Sequence, residues 1–263
     1  MSFLQHLEEL RWHIIKSIIA IVVLAIAAFW FKSLIFDGIL IAPKNPDFIT
    51  NRIFAYFAER FNSPSLRIND VPFDIISISM SGQFSTHIWI SIISGVILSF
   101  PYIVYQFWSF LSPALYEKER KSARYAVLAI SALFFTGVLF GYYVIVPLSI
   151  HFLGSYQISE SVKNTINISS YFSTIASVTL AAGIVFELPV VMYFLSKIGI
   201  VTPQFLRTYR KHAIIVILVL AAIITPPDIF SQILVSIPLI ILYEISIFIS
   251  RAIYRKKEKE MAS

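Results

Sequence analysis

The chain has 263 residues, 57% of them hydrophobic and 14% charged, and carries a formal net charge of +6. A soluble domain of this length does not need so much apolar surface, so the composition points to a polytopic membrane protein and excludes a basic nucleic-acid binder. With no cysteine in the chain, disulfides and thiol-bound metals are excluded too.

The leader predicts a helix. Ser2 and Gln5 form a capping box. Phe3, Leu7, Leu10 and Ile14 make an apolar stripe at helical spacing. Such a helix is expected to lie on the membrane surface, or on protein, before the chain enters the bilayer. Glu8 and Glu9, and the Phe29-Trp30-Phe31 run after Ala25-Ile26-Ala27, argue against a cleaved signal peptide. The two carboxylates differ in their helical neighbours. Glu8 has Arg11 at i+3, whereas Glu9 meets only Gln5, His6, Trp12 and His13.

Six apolar segments follow, at about 14–31, 84–107, 125–150, 171–195, 213–225 and 229–249. Only helices satisfy their own backbones while crossing lipid one segment at a time. The expected architecture is therefore all-α, one polytopic membrane domain over residues 1–263 with six transmembrane helices. Pro101, Pro147, Pro189 and Pro238 are expected to kink four of them. No internal repeat is visible, which counts against a transporter built from inverted halves.

Basic residues set the orientation. Arg11 and Lys16 flank the first segment, and Lys118, Arg120, Lys121 and Arg124 lie in the second loop. Lys197, Arg207, Arg210 and Lys211 lie in the fourth loop, and Arg251, Arg255, Lys256, Lys257 and Lys259 in the tail. These are fifteen of the 21 lysines and arginines. Both termini and the even-numbered loops are therefore expected on the cytoplasmic side.

The second loop follows an aromatic belt of Tyr102, Tyr105, Phe107, Trp108 and Phe110. Ser112 suits an N-cap and Pro113 a first helical position. In the short helix that follows, Glu117 has Arg120 and Lys121 at i+3 and i+4. Glu119 has Leu115, Tyr116, Ser122 and Ala123 at those offsets and no cation along its own face. Glu9 and Glu119 are thus two uncompensated carboxylates on one face, flanked by aromatics. They suit a pair of cations; the alternative for each is a solvated surface carboxylate.

Glu187 lies past the bilayer centre in the fourth segment. An ionised carboxylate there costs at least a few kcal/mol. It is therefore protonated, faces a wet cavity or a partner, or is a neutral side chain bonded to a neighbouring helix. Pro189, two residues on, frees a backbone carbonyl. Glu244 lies within a turn or two of Arg251 and snorkels to the surface. The fifth and sixth segments are short: 213–225 makes about 20 Å of helix against a core of roughly 30 Å. Pro226-Pro227 joins them in a tight turn. Thr225, Asp228, Ser231 and Gln232 put polar groups at the outer end of this hairpin, either as contacts for a partner helix or as loop solvation with Asp228 capping the helix.

Residues 3–11 read FLQHLEELR, 105–119 read YQFWSFLSPALYEKE, 183–190 read GIVFELPV and 225–232 read TPPDIFSQ. With six helices and cytoplasmic ends, these motifs resemble TatC, the signal-recognising membrane subunit of the twin-arginine protein translocase, over nearly the whole chain. The resemblance implies a receptor that binds the consecutive arginines of a signal peptide at the cytoplasmic face. It further implies recruitment of small single-helix TatA/TatB-type subunits, self-association in a multi-subunit complex, and export of folded proteins across the cell inner membrane on the proton-motive force. It implies that Glu9 and Glu119 face the arginines, with Arg11, Phe110, Pro113 and Tyr116 shaping the site. It places the family's intramembrane glutamate at Glu187 and the partner-helix contact at Thr225, Asp228 and Gln232. The stretch from Asp47 to Asn69 departs from the family pattern as an external insertion with an aromatic run, expected to cap the external face.

No catalytic residues, cofactor or metal site are expected. There is no HExxH, no glycine-rich phosphate loop and no paired aspartates. Ser94-Gly95 follows Ile93, so the glycine of a serine elbow is missing. The alternative function is a proton-coupled solute transporter using Glu187. It needs polar partners deep in other helices, and the third segment offers almost none.

Overall fold

The computed structural model describes residues 3–69, 74–111, 123–159, 165–225 and 229–262. Helix α1 (Phe3–Trp30) is unbroken from the leader through the first apolar segment. No glycine or proline interrupts it, so the leader is the first turns of the crossing helix and not a separate surface segment. Ser2 of the expected capping box lies outside the described residues.

The apolar stripe read from the leader is not the packing stripe. Leu7 and Ile14 are 46% and 50% exposed. The inward row is Leu10, His13, Ser17, Ile21, Leu24 and Ala28, all buried or half-buried. In lipid an apolar side chain gains little by turning inward, so the polar and small His13, Ser17 and Ala28 share the contact with Leu10, Ile21 and Leu24. Helix α1 lies along α3 (Gly82–Leu111), and Gly95 sets the approach. A Cβ at Gly95 would stand 2.7 Å from the Ile21 carbonyl oxygen and 2.9 Å from Ala25 Cβ.

Between these helices, residues Asp47–Asn69 form a cap built around α2 (Ile49–Arg60), packed at the end of the bundle opposite the chain termini. The Phe48 ring stacks on Tyr143 with centroids 5.5 Å apart. Buried Asn51 donates its amide to the Pro43 carbonyl at 3.0 Å and the Asn45 carbonyl at 2.7 Å. Asn69 donates to Asn51 Oδ1 and to the Pro147 carbonyl, each at 3.1 Å. A two-residue parallel ladder, β1 (Ile75–Ile76) against β2 (Ile166–Asn167), joins the first and third loops on this side.

The third crossing is α4 (Ala123–Phe140), a π-helical segment Gly141–Ile145, and α5 (Val146–Ser155). The irregularity sits just before Pro147. Proline has no N–H for the carbonyl four residues back, which is that of Tyr143. The Thr50 hydroxyl of the cap donates to that carbonyl instead.

The same rule operates in the fourth crossing. Pro189 cannot serve the Val185 carbonyl, and α6 (Ile168–Val185) ends there, with α7 (Leu188–Lys197) restarting after Phe186 and Glu187. Pro101 and Pro238 remain inside the continuous helices α3 and α10 (Ile229–Ala262). Helices α4 and α6 pack closely. A Cβ at Gly183 would stand 2.8 Å from Phe134 Cε2, and Phe134 stacks on Phe100 of α3 with centroids 3.6 Å apart.

A short α8 (Pro203–Thr208) leads into α9 (Arg210–Ile224). Five helices among the described residues are long and apolar enough to cross a membrane, covering His6–Trp30, Gly82–Phe110, Tyr125–Ser155, Ile168–Lys197 and Gln232–Arg255. The fifth apolar segment, α9, has 15 residues and stays short, as its sequence indicated. The sixth is not short. Helix α10 runs for 34 residues, because the chain stays helical through Glu244 and on through the basic tail to Ala262.

Three contacts place both chain ends on one face. His6 meets Phe110 at 4.5 Å between centroids, Trp108 meets Phe194 at 5.8 Å, and the Ser196 hydroxyl donates to Ser250 at 2.8 Å.

Candidate functional site

The terminus-bearing face brings the start of α1 against the end of α3. The α3 side contributes Phe110 and Gln106; the α1 side contributes His6 and His13, two turns apart. The His6 ring stacks on Phe110 at an interplanar angle of 23°. The His13 ring meets the same phenyl edge-on, with centroids 6.1 Å apart. His13 Nδ1 and Gln106 Oε1 are 2.6 Å apart, a hydrogen bond in which His13 donates. Gln106 is buried, so this bond satisfies a carbonyl oxygen that would otherwise be stranded in the bundle.

Glu9 falls between the two histidines on α1, three residues after His6 and four before His13, and is half-buried. It therefore borders the Phe110 platform with a carboxylate on one flank. Among the described residues Glu9 has no ion pair. That leaves its acceptor capacity for a cationic ligand, with an aromatic shelf beside it for the ligand's apolar stem.

Arg11 does not neutralise Glu8 as their spacing suggested. Its guanidinium carbon lies 6.0 Å from the centre of the Trp12 ring, and among the described residues the two form no ion pair. An exposed pair at this spacing contributes only about 0.2–0.5 kcal/mol. A guanidinium on an indole face contributes about 0.5–1 kcal/mol, so the ring wins. Pro113, Tyr116, Glu117 and Glu119 lie outside the described residues, as does Asp228.

His6, His13 and Gln106 were not singled out as site residues from the sequence. The signal was present in the two histidines at a seven-residue interval flanking Glu9. A buried glutamine on a helix otherwise apolar in that region was a second signal.

Glu187 sits in the break between α6 and α7, at the residue before the first turn of α7. Its carbonyl accepts from Val190 N at 3.0 Å and Val191 N at 3.1 Å. Both carboxylate oxygens are buried and have no hydrogen-bond partner. The backbone of Phe134 on neighbouring α4 faces this carboxyl, in keeping with a neutral glutamate held against a neighbouring helix. The proline break and the close glycine packing below it hold this polar group inside the bundle.

The hairpin end differs from expectation at Thr225. Thr225 is 5% exposed, and its hydroxyl donates to the Ala221 carbonyl at 2.8 Å, so it does not face lipid. Gln232 donates to the Leu218 carbonyl at 3.1 Å, tying α10 back to α9, and remains half-buried. Glu244 reaches solvent as snorkelling requires, and there it pairs with Arg210 at the start of α9.

Comparison with known proteins gives a consistent result. The family profile described as Sec-independent protein translocase protein (TatC) matches residues 5–238. The Sec-independent protein translocase protein TatC of Blattabacterium sp. subsp. Periplaneta americana is 43% identical over 259 residues, covering 98% of this chain and 97% of that protein. TatCy of Bacillus subtilis is 36% identical over 263 residues, covering 100% of this chain and 94% of its own length. A crystal structure of the twin arginine translocase receptor TatC superposes with a TM-score of 0.70 at 34% identity, covering 95% of this chain and 99% of that one.

Proposed function

The chain belongs to the TatC family of Sec-independent protein translocase proteins, and we propose that it is the signal-peptide receptor and core of a twin-arginine translocase. The observation that carries this reading is Glu9, a carboxylate without an ion pair among the described residues, beside the His6–Phe110–His13 platform. Glu9 and Glu119 receive the two arginines of the signal peptide. Arginine suits them because its planar guanidinium binds a carboxylate through two parallel hydrogen bonds. Phe110, Pro113, Tyr116 and Arg11 shape the surrounding surface. The terminus-bearing face is cytoplasmic and the protein resides in the cell inner membrane, in keeping with the basic residues gathered on that face.

Small single-helix TatA/TatB-type subunits dock at the α9–α10 hairpin through Gln232, with Thr225 and Asp228 beside it, and copies of the complex associate. Transport of folded cargo draws on the proton-motive force, and Glu187 is the residue placed to respond within the membrane. Titration of a labelled twin-arginine signal peptide against Glu9→Ala, Glu119→Ala, Glu8→Ala and Glu117→Ala tests the reading. Equal losses in all four would mean that net surface charge alone attracts the peptide. The solute-transporter alternative rests on the buried carboxyl of Glu187, and family membership does not favour it. Substrate-driven solute flux in reconstituted vesicles, without peptide binding, would restore it.

A further inference from the structure

On the terminus-bearing face, away from Glu9, the loop carrying α8 and the end of α10 enclose a concavity of about 540 Å³. Its lining includes Thr202, Gln204, Arg207, Arg251, Tyr254 and Arg255 and, among the described residues, no carboxylate. Arg251 and Arg255 are one turn apart on α10 and so project from the same side. Arg207 approaches from α8. Its position is fixed from three sides. Leu206 is 3% exposed, the Tyr243 hydroxyl donates to the Leu206 carbonyl at 2.8 Å, and the Thr202 hydroxyl caps the helix by accepting from Phe205 N at 3.0 Å.

The neighbouring Arg210 is already neutralised by Glu244. Among the described residues Arg207, Arg251 and Arg255 have no ion pair. Three like charges converging on one concavity repel one another unless an anion lies between them. Depth decides which anion. The apolar span of α10 ends at Arg255, so the concavity opens at the level of lipid headgroups, where Tyr254 also belongs. Basic pockets between helices at this depth suit phospholipid phosphates.

We propose that Arg207, Arg251 and Arg255 form a binding site for the phosphate of an anionic phospholipid. The guanidiniums hold the phosphate through charge-assisted, partly bidentate hydrogen bonds. Thr202 and Gln204 supply polar groups for the headgroup, and the exposed apolar side of α10 receives an acyl chain.

The full chain in nanodiscs of phosphatidylcholine with a minor share of phosphatidylglycerol is washed into detergent, and retained lipid is counted by native mass spectrometry. Wild type is expected to keep phosphatidylglycerol selectively. Arg251→Gln/Arg255→Gln is expected to lower retention by about tenfold or more, as loss of charged hydrogen bonds implies. Lys211→Gln removes one exposed charge nearby and should leave retention unchanged. Where the double variant does not fold, as judged by elution and helical circular dichroism, Arg207→Gln on the loop gives the reading, with a severalfold loss expected. Excess inorganic phosphate should not displace the lipid; displacement would reassign the site to a free phosphate and overturn the lipid proposal. Absence of selective retention, equal retention in the arginine variants, or an equal loss in Lys211→Gln would overturn it as well.

Discussion

Arg210 and Glu244 meet through two parallel contacts, Arg210 Nε to Glu244 Oε1 at 2.8 Å and a terminal guanidinium nitrogen to Oε2 at 2.8 Å. The pair links the start of α9 to the sixth crossing. Its side chains remain 48% and 36% exposed, so solvent screens part of the attraction. A double-mutant cycle on Arg210→Gln and Glu244→Gln, followed by thermal unfolding in detergent, is expected to give a coupling of about 0.5–1 kcal/mol. Strictly additive losses would show that the pair contributes nothing to stability.

The Glu9 platform makes a graded prediction. A hydrogen bond to a charged group contributes about 1.5–3 kcal/mol, so Glu9→Ala should weaken signal-peptide binding by roughly tenfold or more. Glu8→Ala should do much less, since Glu8 neighbours neither Phe110 nor an ion-paired Arg11. Phe110→Leu keeps an apolar contact but removes the ring that His6 and His13 share; a loss smaller than that of Glu9→Ala is expected. Raising salt should weaken wild-type binding at this exposed face. Salt-independent affinity would contradict the carboxylate mechanism.

Glu187→Gln keeps the volume of the side chain and removes its charge. Because the carboxyl is buried in the bundle, the isosteric amide should leave folding and signal binding intact while lowering transport. Alanine is a poorer probe because it also removes volume. Full transport activity by Glu187→Gln would take the residue out of the mechanism.

At the hairpin the two polar residues should separate. Thr225→Val removes the hydroxyl donated to Ala221 and should act on stability, by about 1 kcal/mol, with little effect on partner capture. Gln232→Leu releases the tie to Leu218 and should weaken co-purification of a single-helix partner, since interhelical polar pairs in membranes contribute well under about 2 kcal/mol each. Unchanged co-purification with Gln232→Leu would count against the docking role.

Close helix approach predicts intolerance at Gly183. A β-carbon there would stand 2.8 Å from the ring of Phe134, which is fully buried and stacked on Phe100. Gly183→Val should destabilise the bundle by about 1–3 kcal/mol or more. Wild-type melting behaviour would mean that α4 and α6 can move apart at no cost.

Much of this protein is decided by its composition and by proline and glycine. Lipid leaves a backbone no partner but itself, so apolar runs of sufficient length become helices, and a missing N–H at Pro147 or Pro189 marks where a helix must change. The brevity of α9, the cap formed by residues Asp47–Asn69 and the uncompensated state of Glu9 were all legible from residue types and spacing. What the tertiary structure decided is which faces meet. In water an apolar stripe identifies the buried side; in lipid both sides are apolar, and Leu7 and Ile14 turn outward while His13 and Ser17 turn inward. Contacts between distant segments were equally hidden. Thr50 serves a carbonyl exposed by Pro147, Gln106 holds His13, and Arg210 pairs with Glu244, because hydrogen bonds and ion pairs depend on distances across the bundle that spacing along one helix does not encode.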